Sequence, residues 1–124
     1  MGIFKTLFGK NEASNNQEII QWKPLIESSQ LDEIIEKSHT KTQAIFKHST
    51  RCGISSGVLK QFERNKKTPE VDFYYLDLLS FRSISNEIAT KFNVHHQSPQ
   101  LLIFKNGKVI AHDSHYEIMS LDLT

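Results

Sequence analysis

Along the chain the spacing of apolar side chains switches repeatedly between a helical and a strand period, and the order of those switches leaves few folds available. Ser29 and Asp32 stand at capping-box spacing before Leu31, Ile34 and Ile35, which predicts a helix over Ser29 to Lys37. Thr42 to His48 reads as a strand around Ala44, Ile45 and Phe46. A second helix is expected to start near Cys52, with Ile54, Val58 and Phe62 as its apolar positions, Leu59 beside them, and Thr68 with Pro69 as its stop. Val71 to Leu78 is largely apolar on both alternating sets, as suits a central strand covered on two faces. Ser83 is placed to cap a third helix, whose stripe is Ile84, Ile88 and Phe92 with Ala89 alongside and whose end is Asn93.

Leu101 to Phe104 and Val109 to His112 are short strands joined through Asn106 and Gly107, the residue pair preferred in a type I′ turn. With Trp22 and Leu25 flanking Pro24 in an extended lead-in, the order is helix, strand, helix, strand, helix, hairpin. That order predicts an α/β fold in which a parallel pair with crossover helices and an antiparallel pair share one mixed sheet.

A chain of 124 residues with 38% hydrophobic content is sized for one domain that needs neither disulfides nor a structural metal. We divide it into an N-terminal amphipathic turn and polar tether over residues 1–17 and a folded domain over 18–124. Fifteen basic and fourteen acidic residues give a formal charge of +1, which argues against nucleic acid as a partner. The apolar residues Ile3, Phe4, Leu7 and Phe8 form a run too short for a signal peptide or a membrane span, so a cytoplasmic location is expected. Met1, Gly2 and Thr6 fit a myristoylation pattern, but no polybasic stretch supplies a second anchor, and no membrane partner is expected. Docking of this turn on its own domain or on a neighbour is the expected use, with the chain a monomer or weak homodimer. His95 beside His96 and His112 near His115 do not converge in extended chain, and no metal is assigned.

Cys52 is the only cysteine. At a helix start it meets unpaired backbone N–H groups and the positive end of the helix dipole, and Arg51 adds a fixed positive charge; together these favour the thiolate. Small polar residues, Ser49, Thr50 and Ser55, surround it instead of core residues, so a reactive thiol is expected over a structural one. Ser55 occupies the place of the second cysteine of a C-x-x-C dithiol, so any group Cys52 captures stays on it until an external thiol removes it. Ser55 is expected either to donate to the sulfur or to cap the helix.

These features resemble the thioredoxin-like fold, in which the cysteine stands where the first core strand meets the next helix and a cis proline precedes the hairpin strand. Ser98, Pro99 and Gln100 directly precede Leu101 here, and the resemblance implies a cis bond before Pro99. More narrowly, the run His48, Ser49, Thr50, Arg51, Cys52, Gly53, Ile54, Ser55 looks like the active-site segment of the monothiol bacilliredoxins. The likeness extends to Phe46 and Lys47, Phe62 and Glu63, the Asn106–Gly107 hairpin, and His112, Asp113, Ser114 and His115. It departs from that family's usual Thr-Cys-Pro-Ile-Ser where Arg51 precedes the cysteine and Gly53 replaces the proline.

The resemblance implies removal of bacillithiol, or a related low-molecular-weight thiol acting as co-substrate, from thiolated proteins, with no bound cofactor. Cys52 would attack, Arg51, Gly53 and Ser55 would support the thiolate, and Thr50, Ser98 and Pro99 would meet the substrate. Two other readings share parts of the pattern. Monothiol glutaredoxins that carry an iron–sulfur cluster have Cys-Gly-Phe-Ser, but the glycine pair and acidic residues that hold glutathione in them have no counterpart after Pro99. A thioredoxin-fold binding module would use the Pro99 pocket for extended peptide and leave the thiol idle. Tyr116 to Leu121 offers only a stub for the final helix of the fold.

Overall fold

The computed structural model describes residues 20–66 and 68–123. The expected N-terminal turn and tether lie outside them. Five strands form one sheet: β1 (Lys23–Pro24), β2 (Thr42–His48), β3 (Val71–Asp77), β4 (Gln100–Lys105) and β5 (Lys108–Ser114), in the spatial order β1-β3-β2-β4-β5. β3 runs parallel to both β1 and β2, whereas β4 is antiparallel to β2 and to β5. The helices are α1 (Ser29–Lys37), α2 (Gly53–Asn65) and α3 (Arg82–Phe92), and a short 3-10 helix covers His115–Ser120 where the sequence offered only a stub. The expected mixed α/β sheet is therefore present.

Strand alternation splits the core in two. On one face Ala44, Phe46, Val58, Phe62, Phe73, Leu101 and Ile103 pack between the sheet, α2 and the 3-10 helix. On the other, Ile45, Leu76, Leu102 and Phe104 meet Leu31 and Ile34 of α1 and Ile84 and Ile88 of α3. Each fully buried side chain of this size contributes roughly 1.5–3 kcal/mol of transfer free energy. Trp22 anchors the first core, with its ring centroid 5.8 Å from Phe46, 6.1 Å from Phe62 and 5.7 Å from Phe73, and its indole N–H donates to Glu63 at 2.7 Å. An indole buried on its faces needs that acceptor for its one polar atom.

Local expectations fare unevenly. Asn106 and Gly107 have φ of 55° and 85°, as a two-residue type I′ turn requires. Asn93 ends α3 in the left-handed conformation at φ 53°. The capping box does not form: Ser28 is the N-cap of α1 without a side-chain capping bond, its hydroxyl donating to Glu87 instead, and Gln30 Oε1 reaches back to accept from the N–H groups of Ile26 and Glu27. Ser83 lies inside α3, whose N-cap is Phe81. Ile54 is not a core residue either, being 49% exposed; Ser55 takes the buried position in the first turn of α2.

Candidate active site

Cys52 is the N-cap of α2, half-buried, with extended backbone at φ −107° and ψ 119°. Its side chain makes no capping bond, so the sulfur is not spent on the helix it precedes. Its own N–H donates to Ser49 O at 3.2 Å, and its carbonyl receives Ser56 N–H at 3.1 Å, so a tight turn over residues 49–52 feeds directly into the helix. Thr50 and Arg51 are exposed on that turn, and Gly53 faces open space.

Ser55 is fully buried three residues after the thiol. Its hydroxyl lies 2.7 Å from His48 Nδ1 and accepts Ser49 N–H at 3.2 Å. Neither of the two expected uses matches these bonds, because the hydroxyl ties the start of α2 back to the end of β2. Burial lowers the pKa of His48 below its ordinary value, outweighing the carboxylates of Asp77 and Glu63, which pull the other way. His48 is thus held towards its neutral form.

The opposite face of the same strand end carries a second buried polar group. Lys47 is fully buried, and its Nζ lies 3.4 Å from Ser85 O in α3 and 3.3 Å from His96 Nδ1 in the segment leading to β4. His96 Nδ1 is also 3.2 Å from the Ser85 hydroxyl. Desolvation lowers the Lys47 pKa to about 8, and His96 is lowered too, by burial first and by Lys47, Arg82 and His95 after it. Beside them Gln100 pairs with Lys47 in register and donates from Nε2 to His95 O at 2.9 Å.

The Ser98–Pro99 bond is cis, and Pro99 O accepts His115 N–H at 3.0 Å. Because β4 runs antiparallel to β2 with Gln100 opposite Lys47, Pro99 and Cys52 belong to loops at the same end of the sheet. The Ser98 hydroxyl and Gln100 Oε1 are buried without a hydrogen-bond partner among the described residues.

Of the residues singled out in the sequence, Thr50, Arg51, Cys52, Gly53 and Ser55 form one continuous turn and helix start, and Ser98 and Pro99 sit on the neighbouring loop. Lys47 and Gln100 entered only through the family likeness, with no role assigned to them, and Ser85 was missed altogether. Lys47 carried the only available signal, as a lysine on the same alternating set as Ile45. Among the described residues no group of three or more His, Cys, Asp or Glu side chains is arranged to hold a metal ion, and no helix is long and apolar enough to cross a membrane.

The chain is similar to known proteins over nearly all of this region. A family model described as Monothiol bacilliredoxin BrxC matches residues 23–123. A solved structure provisionally described as an oxidoreductase with a thioredoxin fold shares 35% identity at a TM-score of 0.69, covering 78% of this chain and 86% of its own. Thioredoxins of Schistosoma mansoni (19% identity, TM-score 0.63, covering 81% and 88%) and Fasciola hepatica (21%, 0.60, covering 79% and 96%) share the fold.

Proposed function

Since the chain belongs to the monothiol bacilliredoxin family, we propose that it removes bacillithiol, or a similar low-molecular-weight thiol, from mixed disulfides on proteins. The observation that carries this reading is the pairing of an unengaged thiol at the N-cap of α2 with a buried serine, not a cysteine, three residues on. The family supports a thiol redox role; the identity of the thiol is our inference.

The Cys52 thiolate attacks the small-thiol sulfur of a protein mixed disulfide. That S–S bond breaks as the new one forms, and the protein thiolate leaves and takes a proton from water. Cys52 then holds the small thiol as its own mixed disulfide. A second molecule of that thiol, as thiolate, attacks the adduct, releasing the symmetrical small-molecule disulfide and the Cys52 thiolate. The first N–H groups of α2, free of intrahelical partners, stabilise the thiolate at each stage, with Arg51 adding its charge. Thr50 on the turn and Ser98 with Pro99 on the facing loop would meet the protein substrate. A thiol that must be regenerated by small reductants suits the cytoplasm.

The test is to incubate the reduced protein with bacillithiol-modified and glutathione-modified test proteins and follow transfer to Cys52 by intact mass. Faster adduct formation from the bacillithiol-modified protein is expected. Absence of any adduct on folded protein would favour a binding module instead, and equal transfer from both would remove the thiol preference.

A further inference from the structure

The bond between His48 and Ser55 has a direction that the surrounding donors decide. The Ser55 hydroxyl owns one proton and two lone pairs. One lone pair is taken by Ser49 N–H at 3.2 Å. Both side chains are buried, His48 at 5% and Ser55 at 0% exposure, so an unsatisfied hydroxyl proton would be costly. The arrangement that satisfies both the hydroxyl and Nδ1 has the Ser55 O–H donating to an unprotonated His48 Nδ1, with the imidazole proton on Nε2.

That bond adjoins the turn bearing the thiol. Ser49 N–H is held by Ser55, Ser49 O receives Cys52 N–H, and Cys52 O receives Ser56 N–H. Both ends of the turn are therefore fastened to the first turn of α2, and the Ser55 hydroxyl is kept in place by His48. We propose that His48 is a positioning residue for sulfur exchange, acting through the Ser55 hydroxyl to hold the 49–52 turn in the geometry that presents Cys52. This rests on the thiol-exchange reading and adds to it a residue that does not touch the sulfur itself.

Protonation of His48 places a hydrogen on Nδ1 and forces the Ser55 hydroxyl to accept from both His48 and Ser49, so its own proton swings away. The groups facing His48 are Tyr75, with ring centroids 5.5 Å apart, and Asp77 from β3; Glu63 and Ser55 from α2; and Phe46, at 6.5 Å, from its own strand. Of these only Asp77 and Glu63 favour the charged ring, and burial outweighs them.

Two substitutions separate positioning from packing. His48→Asn keeps an acceptor that can take the Ser55 proton but cannot titrate; His48→Leu keeps bulk and loses the acceptor. Capture from a thiolated test protein and alkylation by iodoacetamide are measured for each, with nitrogen NMR of the histidine ring to read the tautomer. His48→Leu is expected to slow both reactions about tenfold or more, and His48→Asn to remain within about threefold of the wild type. Wild-type alkylation is also expected to show an acid-side inflection, additional to that of the thiol itself, that His48→Asn lacks, and the ring to carry its proton on Nε2. If His48→Leu does not fold, Ser55→Ala replaces it, with the same loss expected and no further loss when combined with His48→Asn.

Unchanged rates in His48→Leu, equal losses in both His48 variants, or a proton on Nδ1 at neutral pH would overturn the proposal. Alkylation needs no thiolated substrate, so these outcomes stand apart from a failure of the proposed activity, which would show as wild-type protein that alkylates but captures nothing.

Discussion

Lys47 and His48 are consecutive in β2 yet brace opposite sides of the sheet: the amine meets His96 at 3.3 Å on the side of α1 and α3, and the imidazole meets Ser55 at 2.7 Å on the side of α2. One strand end thus steadies both loops at the thiol end of the sheet. The period-two alternation of a strand is what sends neighbouring side chains to different loops.

Cys52→Ser is expected to abolish transfer while leaving the fold and its unfolding midpoint nearly unchanged. The sulfur is half-buried and makes no capping bond, so its removal costs little packing. Turnover in the variant comparable with the wild type would place the chemistry elsewhere, and intact mass after exposure to thiolated protein reads it directly.

Ser55→Cys supplies a second thiol three residues from the first, at a buried position beside His48. The captured small thiol is then expected to be expelled as an internal disulfide forms between Cys52 and the introduced thiol, so the adduct that accumulates on wild-type protein should be short-lived in the variant. Mass spectrometry of quenched reactions distinguishes adduct from internal disulfide. A persistent adduct would mean that the two positions cannot reach each other.

The buried amine predicts an unusual dependence of stability on pH. The folded-state Lys47 value of about 8 lies below the ordinary 10.5, so between them the unfolded chain binds more protons than the folded one, and stability rises with pH. Wild-type protein should therefore gain on the order of 1–2 kcal/mol relative to Lys47→Met between about pH 7.5 and pH 9.5 in urea unfolding. Taking the difference between variants removes the contribution of Tyr74, whose hydroxyl is pushed up to about 12, chiefly by burial. A difference that is flat across this range would show that the amine is not desolvated.

Gly53→Pro is expected to stabilise the protein by about 0.5–1 kcal/mol. Nothing lies within 4 Å of a Cβ at position 53, which is the first residue of α2. Cys52 already has the extended backbone, φ −107° and ψ 119°, that a following proline demands. A rise in the thermal midpoint checks it. Gly107→Ala should do the opposite, because φ is +85° and a Cβ would come within 2.9 Å of the His39 ring.

Features that depend on neighbours in the chain were legible in the sequence. The Asn106–Gly107 turn needs only two residues willing to adopt positive φ, and the extents of α1 and β2 follow from apolar spacing and the end of α3 from Asn93. The place of Cys52 at a helix start and of Pro99 before a strand follows in the same way, and with them the family likeness. The tertiary structure decided what the polar side chains do. Ser55 was read as serving the sulfur or the helix, but the packing of α2 against the sheet places its hydroxyl 2.7 Å from His48. Lys47 finds its partners 38 and 49 residues away in sequence, on α3 and the loop before Pro99. No local pattern encodes those meetings. A hydrogen bond between buried groups requires atoms from separate elements to arrive within about 3 Å of one another, and only the packing of the elements sets that distance.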